Sequence, residues 1–269
     1  MRSEITANNE YHTPENTSHL LLDRITFCTR FVFTGLFLRT VFRSRSLARK
    51  GVYDAQHWIQ SSHDIFTDVE RVGGRIQVTG LDHIRNCPGP VIFLSNHMST
   101  LETMILPGII QPLADVTFVV KEALVKHWAF RDVMLSRKPI VLSRSNPRED
   151  LLIVMKQGAE RLKNGISVII FPQSTRRIEF RPAEFNSLGT KLAARTGTWV
   201  IPTAVKTDFW GFGRFSSYLG PIDRKKPVHI AFGEPIKVTG TGKEEHQQVI
   251  DFISGCLEQW KQADRKAGK

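Results

Sequence analysis

The chemistry in this chain concentrates in two short blocks. The first is Asn96-His97-Met98-Ser99-Thr100-Leu101-Glu102. His97 stands five residues before Glu102, which on one continuous helix would put them on different faces. With His97 in a strand-to-helix turn and Glu102 a turn into the helix, the carboxylate reaches back to the imidazole. A carboxylate on one ring nitrogen fixes the tautomer and raises the basicity of the other, so a bound hydroxyl could lose its proton as it attacks a carbonyl. The same residues support a second reading: Ser99-x-x-Glu102 is also a capping box, with Ser99 as N-cap. The second block, Phe171-Pro172-Gln173-Ser174-Thr175-Arg176-Arg177, offers backbone N–H groups, hydroxyls and two guanidiniums, all good donors to a phosphate. Alone it would read equally as a solvated basic loop.

These blocks need elements that bring them together. Short β-rich runs at Arg75–Thr79, Val91–Leu94, Val116–Val120, Ile140–Ser143, Val168–Phe171, Trp199–Val205 and Val228–Phe232 alternate with helical patterns at 99–106, 123–136, 148–163, 187–196 and 244–262. Alternation of that kind predicts an α/β fold with a largely parallel central sheet flanked by helices. Working groups of open α/β sheets collect at strand ends. His97, Lys121, Arg144 and Arg176 each follow a predicted strand, which suits proton transfer beside a bound anion.

Taken together, the blocks resemble the glycerolipid acyltransferase family, which includes the 1-acylglycerol-3-phosphate acyltransferases. Its His-x4-Asp block, often preceded by Asn, is similar to Asn96-His97-x4-Glu102. Its arginine-ending block is similar to Ile140-Val141-Leu142-Ser143-Arg144. Its Phe-Pro-Glu-Gly-Thr-Arg block is similar to Phe171-Pro172-Gln173-Ser174-Thr175-Arg176, its proline-containing strand to Val200-Ile201-Pro202-Thr203-Ala204, and its intervening lysine to Lys121. The resemblance covers roughly residues 75–235. It implies transfer of a fatty acyl group from acyl-CoA or acyl carrier protein to the free hydroxyl of a lysophospholipid, with 1-acylglycerol-3-phosphate as the default acceptor and phosphatidate as product. On that reading His97 is the general base and Glu102 orients it. Arg144, Thr175 and Arg176 hold the acceptor phosphate. Lys121 and the Ser174 N–H are oxyanion candidates, and Asn96, Pro172 and Gln173 support the motifs. No metal or organic cofactor is required. Three positions depart from the family pattern: Glu102 for Asp, Gln173 for Glu and Ser174 for Gly. The last two bear on acceptor choice and leave open another lysolipid or an acylated amino acid. A lipid-binding member of the fold that has lost catalysis is the non-enzymatic alternative.

The rest of the chain bears on location. Of 269 residues, 41% are hydrophobic and 23% charged, a globular composition. Residues 1–18 read as a polar, mobile tail and 19–72 as a helical membrane-association region with helices at 19–48 and 53–70. A boundary falls at Gly73-Gly74, and the α/β acyltransferase domain fills 73–269. No run reaches the about 18–20 apolar residues of a spanning helix. On a helix, Phe27, Phe31, Gly35 and Leu38 line one face, flanked by Ile25, Val32 and Leu36, and lead into Arg39, Arg43, Arg45, Arg49 and Lys50. This is the pattern of an interfacial helix on an anionic membrane, or of a core helix whose arginines snorkel. With three dispersed cysteines, Cys28, Cys87 and Cys256, it predicts the cytoplasmic face of a membrane, peripheral or monotopic. The net charge of +11 favours acidic partners. Arg214 or Arg224-Lys225-Lys226 could steer the donor, or could simply be solvated. Basic residues spread along the chain with no recognisable module exclude a nucleic-acid partner. Asp208 and Trp210 could shape the pocket.

Overall fold

The computed structural model describes residues 8–26, 29–173, 175–213 and 218–267. A two-residue strand β1 (Tyr11–His12) precedes helices α1 (Leu21–Ile25), α2 (Arg30–Arg49) and α3 (Ala55–Arg71). Then follow β2 (Ile76–Thr79), α4 (Leu81–Arg85), β3 (Val91–Ser95), α5 (Leu101–Ile110), β4 (Val116–Lys121), α6 (Glu122–Lys126), α7 (Arg131–Ser136) and β5 (Ile140–Leu142). Helix α8 (Pro147–Ile153) runs through a π-helical turn (Val154–Gly158) into α9 (Ala159–Lys163). The chain ends with β6 (Ser167–Ile170), α10 (Leu188–Thr196), β7 (Trp199–Lys206), β8 (Val228–Phe232), β9 (Ile236–Lys237) and α11 (Lys243–Ala267).

The strands form one sheet in the order β1-β2-β8-β7-β3-β6-β4-β5, with β9 beside β7. Five pairings are parallel and three antiparallel. The sheet is therefore mixed, which corrects the expectation of a largely parallel one. The reason lies between β7 and β8. A parallel neighbour needs a crossover, usually a helix. No helix occurs among the described residues of 207–227, and a bridge between Trp210 and Ile222 folds that segment back on itself, so β8 returns antiparallel.

Every residue of β3, β6 and β8 is buried. Period-two alternation sends them to two cores. Phe93, Ile169, Ile201 and Val205 pack with Trp58, Phe66, Leu101 and Ile105 on one face. Ile92, Leu94, Val168, Ile170 and Val200 pack with Leu162, Leu192, Val249 and Ile253 on the other.

The N-terminal helices join the first core. Phe33 and Phe37 meet the Trp210 indole edge-on at 5.0 and 4.8 Å. Trp210 therefore belongs to this core and does not shape a pocket. Phe33→Ala should cost about 3–5 kcal/mol of stability, read as a fall in the denaturant midpoint. The single helix expected over 19–48 is divided. Helix α1 ends where the Thr26 hydroxyl donates back to the Leu22 and Asp23 carbonyls, and α2 starts at Arg30. Phe27 and Cys28 lie outside the described residues. Phe31, at 70% exposure, and Gly35 face outward, while the adjacent Phe33, Phe37 and Val41 turn inward. No helix among the described residues is long and apolar enough to cross a membrane.

Residues 8–18, read as a tail, are tied to the sheet. β1 pairs with β2, and the Tyr11 hydroxyl donates to Glu70 at 2.7 Å. Gly73-Gly74 is a tight turn closing α3, with Gly73 at φ 86° and both N–H groups bonded to carbonyls of that helix.

Candidate active site

The site is built at the C-terminal ends of β3, β4, β5 and β6. After β3 the chain turns, and Ser99 starts α5 by accepting the Leu101 N–H on its hydroxyl at 3.0 Å. Glu102 reaches back and accepts the Ser99 N–H at 2.9 Å and the Met98 N–H at 2.8 Å. Its Oε1 also lies 2.7 Å from His97 Nδ1. The two readings of Glu102, helix cap and imidazole partner, therefore coexist in one geometry.

Glu102 is fully buried. Burial pushes its carboxyl up, but the bonds and charge of His97, the Thr207 hydroxyl and backbone N–H outweigh it, so the group lies below the usual glutamate value. An ionised carboxylate only accepts, so in the neutral imidazole the proton sits on Nδ1 and Nε2 is left with its lone pair. The His97 ring stacks on Phe171, centroids 4.3 Å apart, and remains 19% exposed.

The second block closes on the first. Gln173 Oε1 accepts the His97 N–H at 2.8 Å, and the Arg177 N–H donates to the His97 carbonyl at 2.9 Å. Gln173 is 2% exposed, and its NH2 has no partner among the described residues. The Pro172 carbonyl accepts from the Asn186 amide. Asn96 grips β7: its amide donates to the Val205 carbonyl and accepts the Val205 N–H, both at 2.8 Å. Ser174 lies outside the described residues.

Three cations converge in front of His97. Arg176 donates to the Thr100 hydroxyl and lies over the Tyr218 ring at 5.1 Å. Arg144 adopts a left-handed φ of 62°, held by Asp150, which accepts the Arg144 and Ser143 N–H groups at 3.0 and 3.1 Å. Lys121 ends β4. Burial first, then the neighbouring Arg144 and Arg176 charges, push its ammonium below the usual lysine value. Among the described residues no carboxylate lines this space. An anion arriving there would relieve the mutual repulsion of the cations.

All of this opens on one cavity of about 310 Å³. His97, Lys121, Arg144, Gln173, Thr175 and Arg176 form its polar side. Trp58, Met104, Phe118, Phe130, Val133 and Met134 form an apolar chamber, with Tyr53, Ser44 and Ser61 also in the wall. Glu102, Asn96 and Pro172 stand behind as support. No motif marks the chamber's contributions from α2, α3 and α7. Nor does any mark Thr207 and Tyr218, which are single residues far in sequence from the blocks they touch.

Other expected residues are employed elsewhere. Arg224 donates to the buried Asp23 carboxylate at 2.9 Å and to the Val72 carbonyl at 2.6 Å, so it clamps α1. Lys226 pairs with Asp208 at 3.3 Å, and Asp208 with Lys206 at 3.0 Å. None of these lines the cavity, and Arg214 lies outside the described residues. No group of three or more His, Cys, Asp and Glu among the described residues could hold a metal ion.

An α/β fold thus presents a histidine backed by a carboxylate at a strand end, in a cavity lined by both apolar side chains and cations. That is the layout of a site that activates a hydroxyl beside an anionic group and an alkyl chain. Residues 75–206 match the model of the acyltransferase family. It is 36% identical over 171 residues to a 1-acyl-sn-glycerol-3-phosphate acyltransferase of Pseudomonas aeruginosa, covering 63% of this chain and 62% of that one. It is 29% identical over 132 residues to the chloroplastic 1-acyl-sn-glycerol-3-phosphate acyltransferase LPAT1 of Arabidopsis thaliana, covering 48% of this chain and 35% of that one. The chain thus spans less than two thirds of the length of these curated relatives. The crystal structure of the 1-acyl-sn-glycerophosphate acyltransferase PlsC from Thermotoga maritima shares the fold, with a TM-score of 0.60 at 23% identity over 86% of this chain and 89% of that one.

Proposed function

We propose that the protein moves a fatty acyl group from acyl-CoA or acyl carrier protein to the free hydroxyl of a lysophospholipid, with 1-acylglycerol-3-phosphate as acceptor and phosphatidate as product. The observation that carries this reading is the bond between His97 and the buried Glu102, with His97 lining a cavity whose wall holds both apolar side chains and three cations. His97 Nε2 takes the acceptor's hydroxyl proton as the oxygen attacks the thioester carbonyl. The C–O bond forms, the C–S bond breaks, and the protonated His97 returns the proton to the leaving thiolate. Arg144, Thr175 and Arg176 hold the phosphate through charge-assisted bonds. Lys121 and the Ser174 N–H receive the developing oxyanion. Neither a metal nor an organic cofactor takes part.

The protein works at the cytoplasmic face of an anionic membrane. Leu21, Leu22, Ile25 and Phe31 are all more than half exposed, with Arg24 and Arg30 between them, and their burial in the interface offers a route for the lysolipid. Residues 19–72 act as the membrane-association region of this scheme.

The test is thiol release from palmitoyl-CoA on vesicles, with and without lysophosphatidate, repeated with an acyl carrier protein donor. Acceptor-dependent release supports the reading. Release that ignores the acceptor, or none with either donor, overturns it. Lys121→Met should lower kcat by up to about 100-fold, and an unchanged kcat would remove Lys121 from the oxyanion site. The Gln173 NH2, without a partner among the described residues, motivates a second acceptor class, since a donor stands where the family pattern has a carboxylate. Faster turnover of another lysolipid or an acylated amino acid than of lysophosphatidate would identify that acceptor.

A further inference from the structure

Glu102 has two carboxylate oxygens, and what holds the second one governs the first. Oε1 faces His97. Oε2 accepts the Thr207 hydroxyl at 2.6 Å and, more weakly, the Ser99 N–H at 3.0 Å. Thr207 immediately follows β7 and is fully buried. It is placed independently of Glu102: β7 is in register with β3 up to Ser95 beside Thr203, Asn96 grips Val205, and the Thr207 N–H points at Met98 Sδ at 3.3 Å. The Ser99 hydroxyl lies 2.9 Å from Thr207 Oγ1 and 3.0 Å from Glu102 Oε2. Thr207 has one hydroxyl proton and its shortest contact is the carboxylate. Ser99 can therefore donate to Thr207 and polarise the Thr207 O–H towards Glu102.

We infer that Thr207 is a positioning residue for the His97–Glu102 pair, anchoring Glu102 Oε2 so that Oε1 stays on His97 Nδ1. The inference rests on the acyl-transfer reading above. A glutamate has one more side-chain torsion than the aspartate of the family pattern, so its carboxylate can swing on a longer arm. The Thr207 hydroxyl, fixed just past the neighbouring strand β7, adds to the Met98 and Ser99 N–H groups in limiting that freedom. Thr207 lies outside the four family blocks, and no motif marks it.

The alternative is that Thr207 merely satisfies a buried carboxylate and affects stability alone. Kinetics on vesicles with palmitoyl-CoA and lysophosphatidate separate the two. Thr207→Val should lower kcat about tenfold or more, since a hydrogen bond to a charged group is lost, with both KM values within about twofold. Thr207→Ser should restore kcat to within about threefold. In a Glu102→Gln background Thr207→Val should cost less than about twofold more, because the two residues act as one unit. Wild-type kcat in Thr207→Val, an undiminished factor in the Glu102→Gln background, or a folded but unrestored Thr207→Ser would each overturn the inference. Should Thr207→Val not fold, Thr207→Ala takes its place. NMR of isotope-labelled histidine reads the tautomer without turnover: wild type should hold His97 as Nδ1–H, and Thr207→Val or Thr207→Ala should mix the tautomers. If no donor gives acceptor-dependent release, the acyl-transfer reading fails while this measurement still decides Thr207; an unchanged tautomer overturns the positioning role.

Discussion

His97→Ala should reduce acceptor-dependent thiol release by about 10²–10⁴-fold, the range for loss of a positioned general base. Both KM values should stay within about threefold, because the groups proposed to bind the phosphate and the acyl chain are not touched. The ring packs on Phe171 and is partly exposed, so its removal leaves a modest void and the variant should fold. Thiol release by steady-state kinetics, with thermal unfolding as a control, checks it. A variant that turns over at wild-type rate would show that another group takes the proton.

Glu102→Gln is expected to produce a loss of similar size by another route. The carboxylate only accepts, which holds the His97 proton on Nδ1. An amide can turn its NH2 to Nδ1 instead, moving the imidazole proton to Nε2, where it blocks proton uptake from the acceptor. In a serine-protease triad the equivalent carboxylate-to-amide change costs about 10⁴-fold, and about 10²–10⁴-fold is expected here. With its NH2 on Nδ1 the amide oxygen takes the place of Oε2, where it still accepts the Ser99 N–H while the Met98 N–H loses its acceptor, so stability should fall together with activity. Activity within about threefold of wild type would reduce Glu102 to a helix cap. Read beside Glu102→Asp, which keeps the charge on a shorter arm, the pair of variants separates charge from reach.

Much of this site is legible in the residue order alone. His97, Lys121, Arg144, Gln173, Thr175 and Arg176 are each marked by following an apolar run, and all six line one cavity. They are legible because strand ends are local features, written in a few consecutive residues. The basic run at Arg224-Lys225-Lys226 misleads for the complementary reason. Charge says what a residue can pair with and nothing about which partner is near. Arg224 pairs with the buried Asp23, two hundred residues away in sequence.

The helical N-terminal region shows the same division. Its apolar periodicity is clear, yet two neighbouring stripes compete for the core. The Phe33–Phe37 stripe wins because Trp210, from the segment after β7, offers those rings an edge-on partner. Phe31 is left outside by that choice.

By itself the sequence determined the α/β class, the strand ends that carry reactive groups, and the histidine–carboxylate block with its basic companions, because each is encoded within a handful of adjacent residues. The tertiary structure alone decided the antiparallel return of β8, the chamber assembled from α2, α3, α5 and α7, and the Thr207 hydroxyl on Glu102. Those rest on contacts between residues from 23 to 105 positions apart, whose pairing is set by sheet order and packing rather than by local spacing.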